Sequence, residues 1–184
     1  YYLSTLVSTL IINFSALAVC LVYQYSVGWY LTFADILLVI LDIFLLTMFG
    51  TALSSCINFF LSSDGQASAV GTIVSSGYGF ICGAYMPISN FGSTLQKILS
   101  FLPGTYGTAL LRNHVLRGSL NEMKKLGFPD EVTKSIGDSV DCSISFFGHD
   151  VSLGGMYAVL VVSTLLLICV YTVFNIVVSR KVKK

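Results

Sequence analysis

Long apolar stretches without charge, separated by short polar breaks, make up most of this chain. Residues 1–34, 43–63, 65–96 and 151–179 carry no Asp, Glu, Lys or Arg. Uncharged apolar runs longer than about 18 residues read as membrane spans, and four are expected, at about 2–23, 30–61, 66–86 and 151–178. Tyr23, Tyr25, Trp29 and Tyr30 cluster where amphipathic rings settle at the headgroups, and Gly28 supplies the break between the first two spans. The second run has no Gly–Pro punctuation. About 30 residues at about 1.5 Å each give roughly 45 Å, more than the hydrocarbon core of about 30 Å, so it is expected to tilt or to project. Ser62-Ser63-Asp64-Gly65 forms a tight polar turn before the third span.

Residues 88–150 have a different pattern. Phe91, Leu95, Ile98, Leu99 and Leu102 recur at helical spacing opposite Ser93, Gln96, Lys97 and Ser100, which predicts a short amphipathic helix. Pro103-Gly104 interrupts it, and a second short helix is expected from Thr105 to about Leu116. Neither is long enough to cross a bilayer. Ser119-Leu120-Asn121-Glu122 has the form of a capping box, Gly127-Phe128-Pro129 ends the helix it would start, and Pro129 and Gly137 bracket another. Residues 119–150 are thus expected to form a small exposed insert, with Asp150 capping the last span. The fold class expected is all-α, a polytopic membrane protein.

Composition sharpens this picture. Of the 184 residues, 55% are hydrophobic and 10% charged, against about a quarter charged in soluble domains, which excludes an ordinary water-soluble enzyme. The net charge of +1 and the lack of a basic stripe argue against a nucleic-acid partner. Twelve of the 19 charged residues lie between Pro87 and Asp150, and four more are Arg180, Lys181, Lys183 and Lys184. That basic tail places the C-terminus in the cytosol by the positive-inside rule, and 87–150 outside. The five cysteines form no CxxC pair, so neither a metal site nor a disulfide framework is indicated. The chain opens at Tyr1 in an apolar run without the basic region of a signal peptide, and an upstream part is expected.

Two carboxylates stand inside the spans. Asp35 and Asp42, seven apart, share a helix face. Asp35, near Trp29 and Tyr30, is expected at the headgroups, whereas Asp42 is expected to face a transport path or a partner helix, because an intramembrane Asp is costly on a lipid face. A shared-proton dyad is excluded, since two helical turns separate the groups by about 10 Å and such a pair needs about 3 Å. Ser75, Gly79 and Gly83 repeat every four residues in the pattern of close helix packing. Asn13, Asn58 and Asn175 are expected to form hydrogen bonds between helices. His114 and His149 lack neighbours at metal spacing and are expected at the surface or interface. No catalytic constellation and no nucleotide-binding loop occurs.

The stretch from Gln66 to Gly118 carries three blocks in order: Cys82-Gly83-Ala84-Tyr85-Met86-Pro87-Ile88, the amphipathic segment Ser93 to Leu102, and Pro103-Gly104-Thr105-Tyr106 leading to Arg112. This resembles the permeases of ABC-2 type transporters, the membrane subunits of ATP-driven exporters. The resemblance implies a re-entrant hairpin over 88–117 on the extracellular side, with Pro103-Gly104 at its bend beside the substrate exit. It also implies a substrate path touching Asn13, Asp42, Asn58, Pro87, Pro103, Tyr106 and Arg112, the last near the outer interface, where it can snorkel. Ser62, Asp64 and Gly65 would be a secondary contact with an ATP-binding cassette subunit that holds the ATP and Mg, the chain itself holding no cofactor. A second permease copy, as homodimer or heterodimer, would complete a multi-pass assembly in the cell membrane. Family members usually carry six spans, so the four seen here would be the last four. Alternatives from the residues are a proton-coupled carrier using Asp42, and a membrane scaffold whose insert recruits a partner.

Overall fold

The computed structural model describes residues 2–182. Tyr1, Lys183 and Lys184 lie outside the described residues, and the side chains of Arg180 and Lys181 are likewise not described, so the expected orientation from the basic tail has no structural counterpart here. Helix α1 is Tyr2–Val27, and α2 is Phe33–Asn58. The chain turns between them at Gly28, whose φ of +155° suits glycine. α2 starts three residues later than expected because Thr32 and Asp35 form a reciprocal capping box. α3 is Asp64–Ile81, capped by Ser63, whose hydroxyl accepts from the Gln66 N–H.

Three described helices are long and apolar enough to span a membrane: Tyr2–Val27, Phe33–Asn58 and Leu153–Val177. The expected third span, α3, has 18 residues and is about 27 Å long, but its Ser, Gly and Thr residues dilute its apolarity. It also ends at Ile81 rather than at Met86. Gly83 takes a φ of +82°, and the unwound segment leads to a 3-10 turn at Ile88–Asn90.

The polar region departs most from the pattern. α4 is Ser93–Leu99, and α5 runs unbroken from Pro103 to Lys125. No break occurs near Leu116, and the Ser119–Glu122 motif lies inside α5 instead of starting a helix. Gly118, which could have ended the helix, is where α5 crosses the α1–α2 connection: a Cβ there would lie 1.9 Å from the Tyr30 carbonyl oxygen. α6 is Asp130–Ser139, and a two-residue hairpin pairs β1 (Ser145–Phe146) with β2 (His149–Asp150). Its turn places Phe147 and Gly148 at φ of +50° and +86°, the left-handed pair of a tight hairpin. α7 is Leu153–Val182. Asp150 does not cap it: that carboxylate accepts from Ser145 at 2.6 Å, while the Ser152 hydroxyl accepts from the Gly155 N–H at 3.2 Å.

α2 is the central element, packed against α1, α5 and α7. α7 runs parallel to it, because the Cys56 thiol donates to the Leu167 carbonyl and Phe59 stacks on Phe174, 5.3 Å between ring centroids. α5 runs the other way. Along it, Gly107 meets Leu46, His114 meets Asp42, and Arg117 approaches Asp35. Tyr106, Ala109, Leu110, Ile144 and Met156 form the buried cluster where α5 and α7 meet the insert. α3 has no buried residue.

Candidate functional site

α4 and α5 form a helical hairpin whose bend, Pro103-Gly104, lies beyond Gly107. Gly107 packs on Leu46, the fourteenth of the 26 residues of α2, so the hairpin reaches about halfway along that helix before turning back. A bend at such depth survives only if its backbone polar groups find protein partners. Here they do. The Gly104 N–H donates to the Tyr78 hydroxyl at 3.2 Å, Thr105 donates to the Leu99 carbonyl at 2.9 Å, and Tyr106 donates to the Ser100 carbonyl at 2.6 Å. Pro103 begins α5, where its missing N–H costs no helical bond. Gly104 admits Tyr78 closely, since a Cβ there would lie 2.7 Å from the ring and displace it.

Asp42 faces this hairpin, as its position in a span implies. It is fully enclosed, with 0% of its surface exposed. His114 Nδ1 shares a hydrogen bond with its Oδ2 at 2.6 Å, and the Tyr157 hydroxyl donates to its Oδ1 at 2.5 Å. The expectation that His114 sits at a surface or interface is overturned: it is 1% exposed. A buried histidine needs a hydrogen-bond partner, and the separation of 72 positions hides this pairing from the sequence. Asp35 is also buried. It accepts from the Thr32 N–H at 3.0 Å and hydroxyl at 2.6 Å, with Arg117 3.8 Å away. The shared face predicted for the two aspartates is the one covered by α5.

Arg112 does not snorkel. Its guanidinium donates to the Gly83 carbonyl and, at 3.4 Å, to the Ala84 carbonyl, with Asp141 of the insert 3.6 Å away. Asp141 in turn accepts from the Ile88 N–H and, at 3.1 Å, from the Ser89 N–H. This cluster clamps the unwound segment, with Pro87 just before the 3-10 turn, onto α5 and the insert. Thr108 adds a bond to the Cys82 carbonyl at 2.7 Å. Within one copy, the small-residue pattern serves the same crossover. Gly83 has the left-handed backbone, a Cβ on Gly79 would meet the Tyr85 ring at 2.4 Å, and Ser75 is exposed with its hydroxyl bonded to the Thr72 carbonyl of its own helix.

The asparagines part company. Asn13 donates to the Thr47 hydroxyl at 2.8 Å, inside a mainly aliphatic groove of about 1110 Å³ between α1 and α2 that Leu111 and Val115 of α5 complete. Asn58 lies at the far end of α2, bonded to Ser54 of its own helix at 3.3 Å. There it lines a hollow of about 310 Å³ with Ser62, Asp64 and Tyr171. Gly65 stands beside this hollow with open space around it. Asn175 donates to the Tyr171 carbonyl within α7 at 2.9 Å. Sequence order therefore separates two regions: the hairpin with Asp42 and Arg112, and the α2–α3 turn with Asn58. Among the described residues, no group of three or more His, Cys, Asp or Glu could hold a metal.

The family model described as ABC-2 family transporter protein matches residues 1–179. No curated protein and no solved structure matches the chain.

Proposed function

The chain belongs to the ABC-2 transporter family, a multi-pass membrane permease component and not itself an enzyme, and on that premise we propose that it exports a cargo from the cytosol using ATP hydrolysed by a partner cassette subunit. ATP and Mg would sit on that partner. The observation that carries this reading is the hairpin: a helix pair that turns at Pro103-Gly104 about halfway along α2, with its bend satisfied by protein groups. Such a wedge can close one end of a path while leaving the other end open.

The hollow at Ser62, Asp64 and Gly65 is the proposed contact with the cassette subunit, which puts that end and the C-terminus in the cytosol of a cell-membrane protein. From there, α2 is a continuous 26-residue lever about 39 Å long that meets the hairpin at Leu46 and Asp42. Nucleotide-driven movement at the turn would be transmitted along it to Pro103, Tyr106 and Arg112. A second permease copy supplies the opposite wall, and the unburied faces of α1 and α3 meet that copy or lipid.

A proton-coupled carrier would need the Asp42 carboxylate to meet water during its cycle. That carboxylate is wholly enclosed, with both oxygens hydrogen-bonded, which supports the permease over the carrier. The test is purification of the full chain from its own membranes in mild detergent. An ATP-binding cassette polypeptide with vanadate-sensitive ATP turnover is expected to accompany it. Transport that persists after the cassette's phosphate-binding lysine is replaced would count decisively against the reading.

A further inference from the structure

We propose that Asp42, His114 and Tyr157 are a lock that fixes the register of α5 against α2 and α7, so that the hairpin and these two helices move as one body. Three elements far apart in the chain meet at one carboxylate, which α2 supplies and to which α5 and α7 each send one side chain. His114 reaches Oδ2 at 2.6 Å and Tyr157 reaches Oδ1 at 2.5 Å. The His114 and Tyr157 rings lie nearly parallel, 23° apart with centroids at 6.2 Å, so the three groups form one enclosed cluster.

The physical basis is the cost of an incomplete set. Sliding α5 by one helical turn, about 5.4 Å, would carry His114 out of reach of Asp42 and leave a buried carboxylate short of a donor. Buried polar partners of this kind set register where apolar packing alone would tolerate a slip. The neighbouring contacts agree, because Gly107 admits Leu46 and Leu160 so closely that a Cβ there would lie 2.3 Å from the Leu46 Cδ2. The hairpin is therefore a fixed part of the moving wall and not a flap that opens on its own. The inference goes beyond the export reading, which it needs only for the occasion of the movement.

The lock is read by thiol labelling of an Ala109→Cys chain in which the five native cysteines are replaced by alanine. Ala109 is 0% exposed, so a membrane-impermeant methanethiosulfonate applied to either face is expected to label it very slowly. Adding Asp42→Ala or His114→Ala is expected to speed labelling by roughly a hundredfold, as for loss of one partner of a buried pair. The exchange Asp42→His with His114→Asp keeps carboxylate and imidazole together and is expected to restore most of the protection. Tyr157→Phe keeps the ring packing and removes one hydrogen bond, so it should speed labelling by about tenfold. Where the alanine variants fail to reach the membrane, the Tyr157→Phe chain decides alone. Labelling as slow as in the parent, or an exchange no better protected than the single replacements, would overturn the lock. The single-body movement is read by a Leu46→Cys, Gly107→Cys disulfide, expected to form to the same yield in ATP-replete and ATP-depleted cells. A yield that changes with ATP would overturn that part. Failure of the export reading shows separately, as the absence of a cassette subunit on purification.

Discussion

At the scale of single residues, the groups that matter are those whose partners come from elsewhere in the chain. Gly118 is one. A methyl added there would meet the backbone oxygen of Tyr30 at 1.9 Å, a contact that a flexible side chain cannot relieve. Gly118→Ala should therefore destabilise the protein by about 1–3 kcal/mol, the usual cost of overpacking, seen as a lower melting temperature in detergent. Arg112 is another. Its fork reaches the Gly83 and Ala84 carbonyls and approaches Asp141, so the single ammonium of Arg112→Lys cannot replace it, and the variant should melt well below the parent. Cys142 tests the insert. Burial pushes its thiol up, with Asp138 and Asp141 adding to this and Arg112 opposing it. A raised value means less thiolate at any given pH below it, and the thiolate is the reactive form. Maleimide modification of Cys142 in the folded protein should be slow at neutral pH and should accelerate only above the ordinary thiol range, while unfolding should abolish the delay.

At the scale of elements, boundaries were legible where local chemistry sets them and not where tertiary contact does. The Gly28 break and the polar turn before α3 follow from glycine, serine and aspartate acting on their own backbone, and both stand. The start of α2 falls three residues beyond the expected one, where Thr32 and Asp35 cap reciprocally. Thr32→Ala removes that cap and should cost about 1 kcal/mol, measurable as a small drop in melting temperature without change in helix content. The length of α5 was not legible. A glycine followed three and four residues later by Asn and Glu looks like a stop and a restart, and only the crossing with Tyr30 reveals why glycine sits inside a continuous helix. In the same way, glycines four apart suggested a helix seam, whereas Gly79 and Gly83 admit Tyr85 and the turn toward Ile88.

At the scale of the whole molecule, the arrangement is a central helix, α2, wrapped by α1, α7 and a hairpin that runs back along it. Lys97 lies in the last turn of α4 and Arg117 far along α5, on either side of the Pro103 bend. The re-entrant reading expects Lys97→Cys and Arg117→Cys to label from the same face of the membrane with an impermeant maleimide. Labelling from opposite faces would show that the segment traverses the bilayer.

The chain by itself determined that it is a helical membrane protein with an amphipathic hairpin between its third and last long helices. Hydropathy, proline and local capping act within a few residues, and those are printed in order along the sequence. It also marked Asp42 as a residue needing a partner, since a carboxylate among apolar residues is costly wherever the helix goes. Only the tertiary structure decided what that partner is. His114 and Tyr157 are 72 and 115 residues away, and nothing in the intervening chain encodes their convergence except the packing of α5 between α2 and α7. The same holds for Arg112, expected near the outer interface and found bonded to carbonyls freed where α3 unwinds. A hydrogen bond between distant residues depends on which helices lie side by side, and that choice is made by the summed burial of whole faces, not by any local pattern.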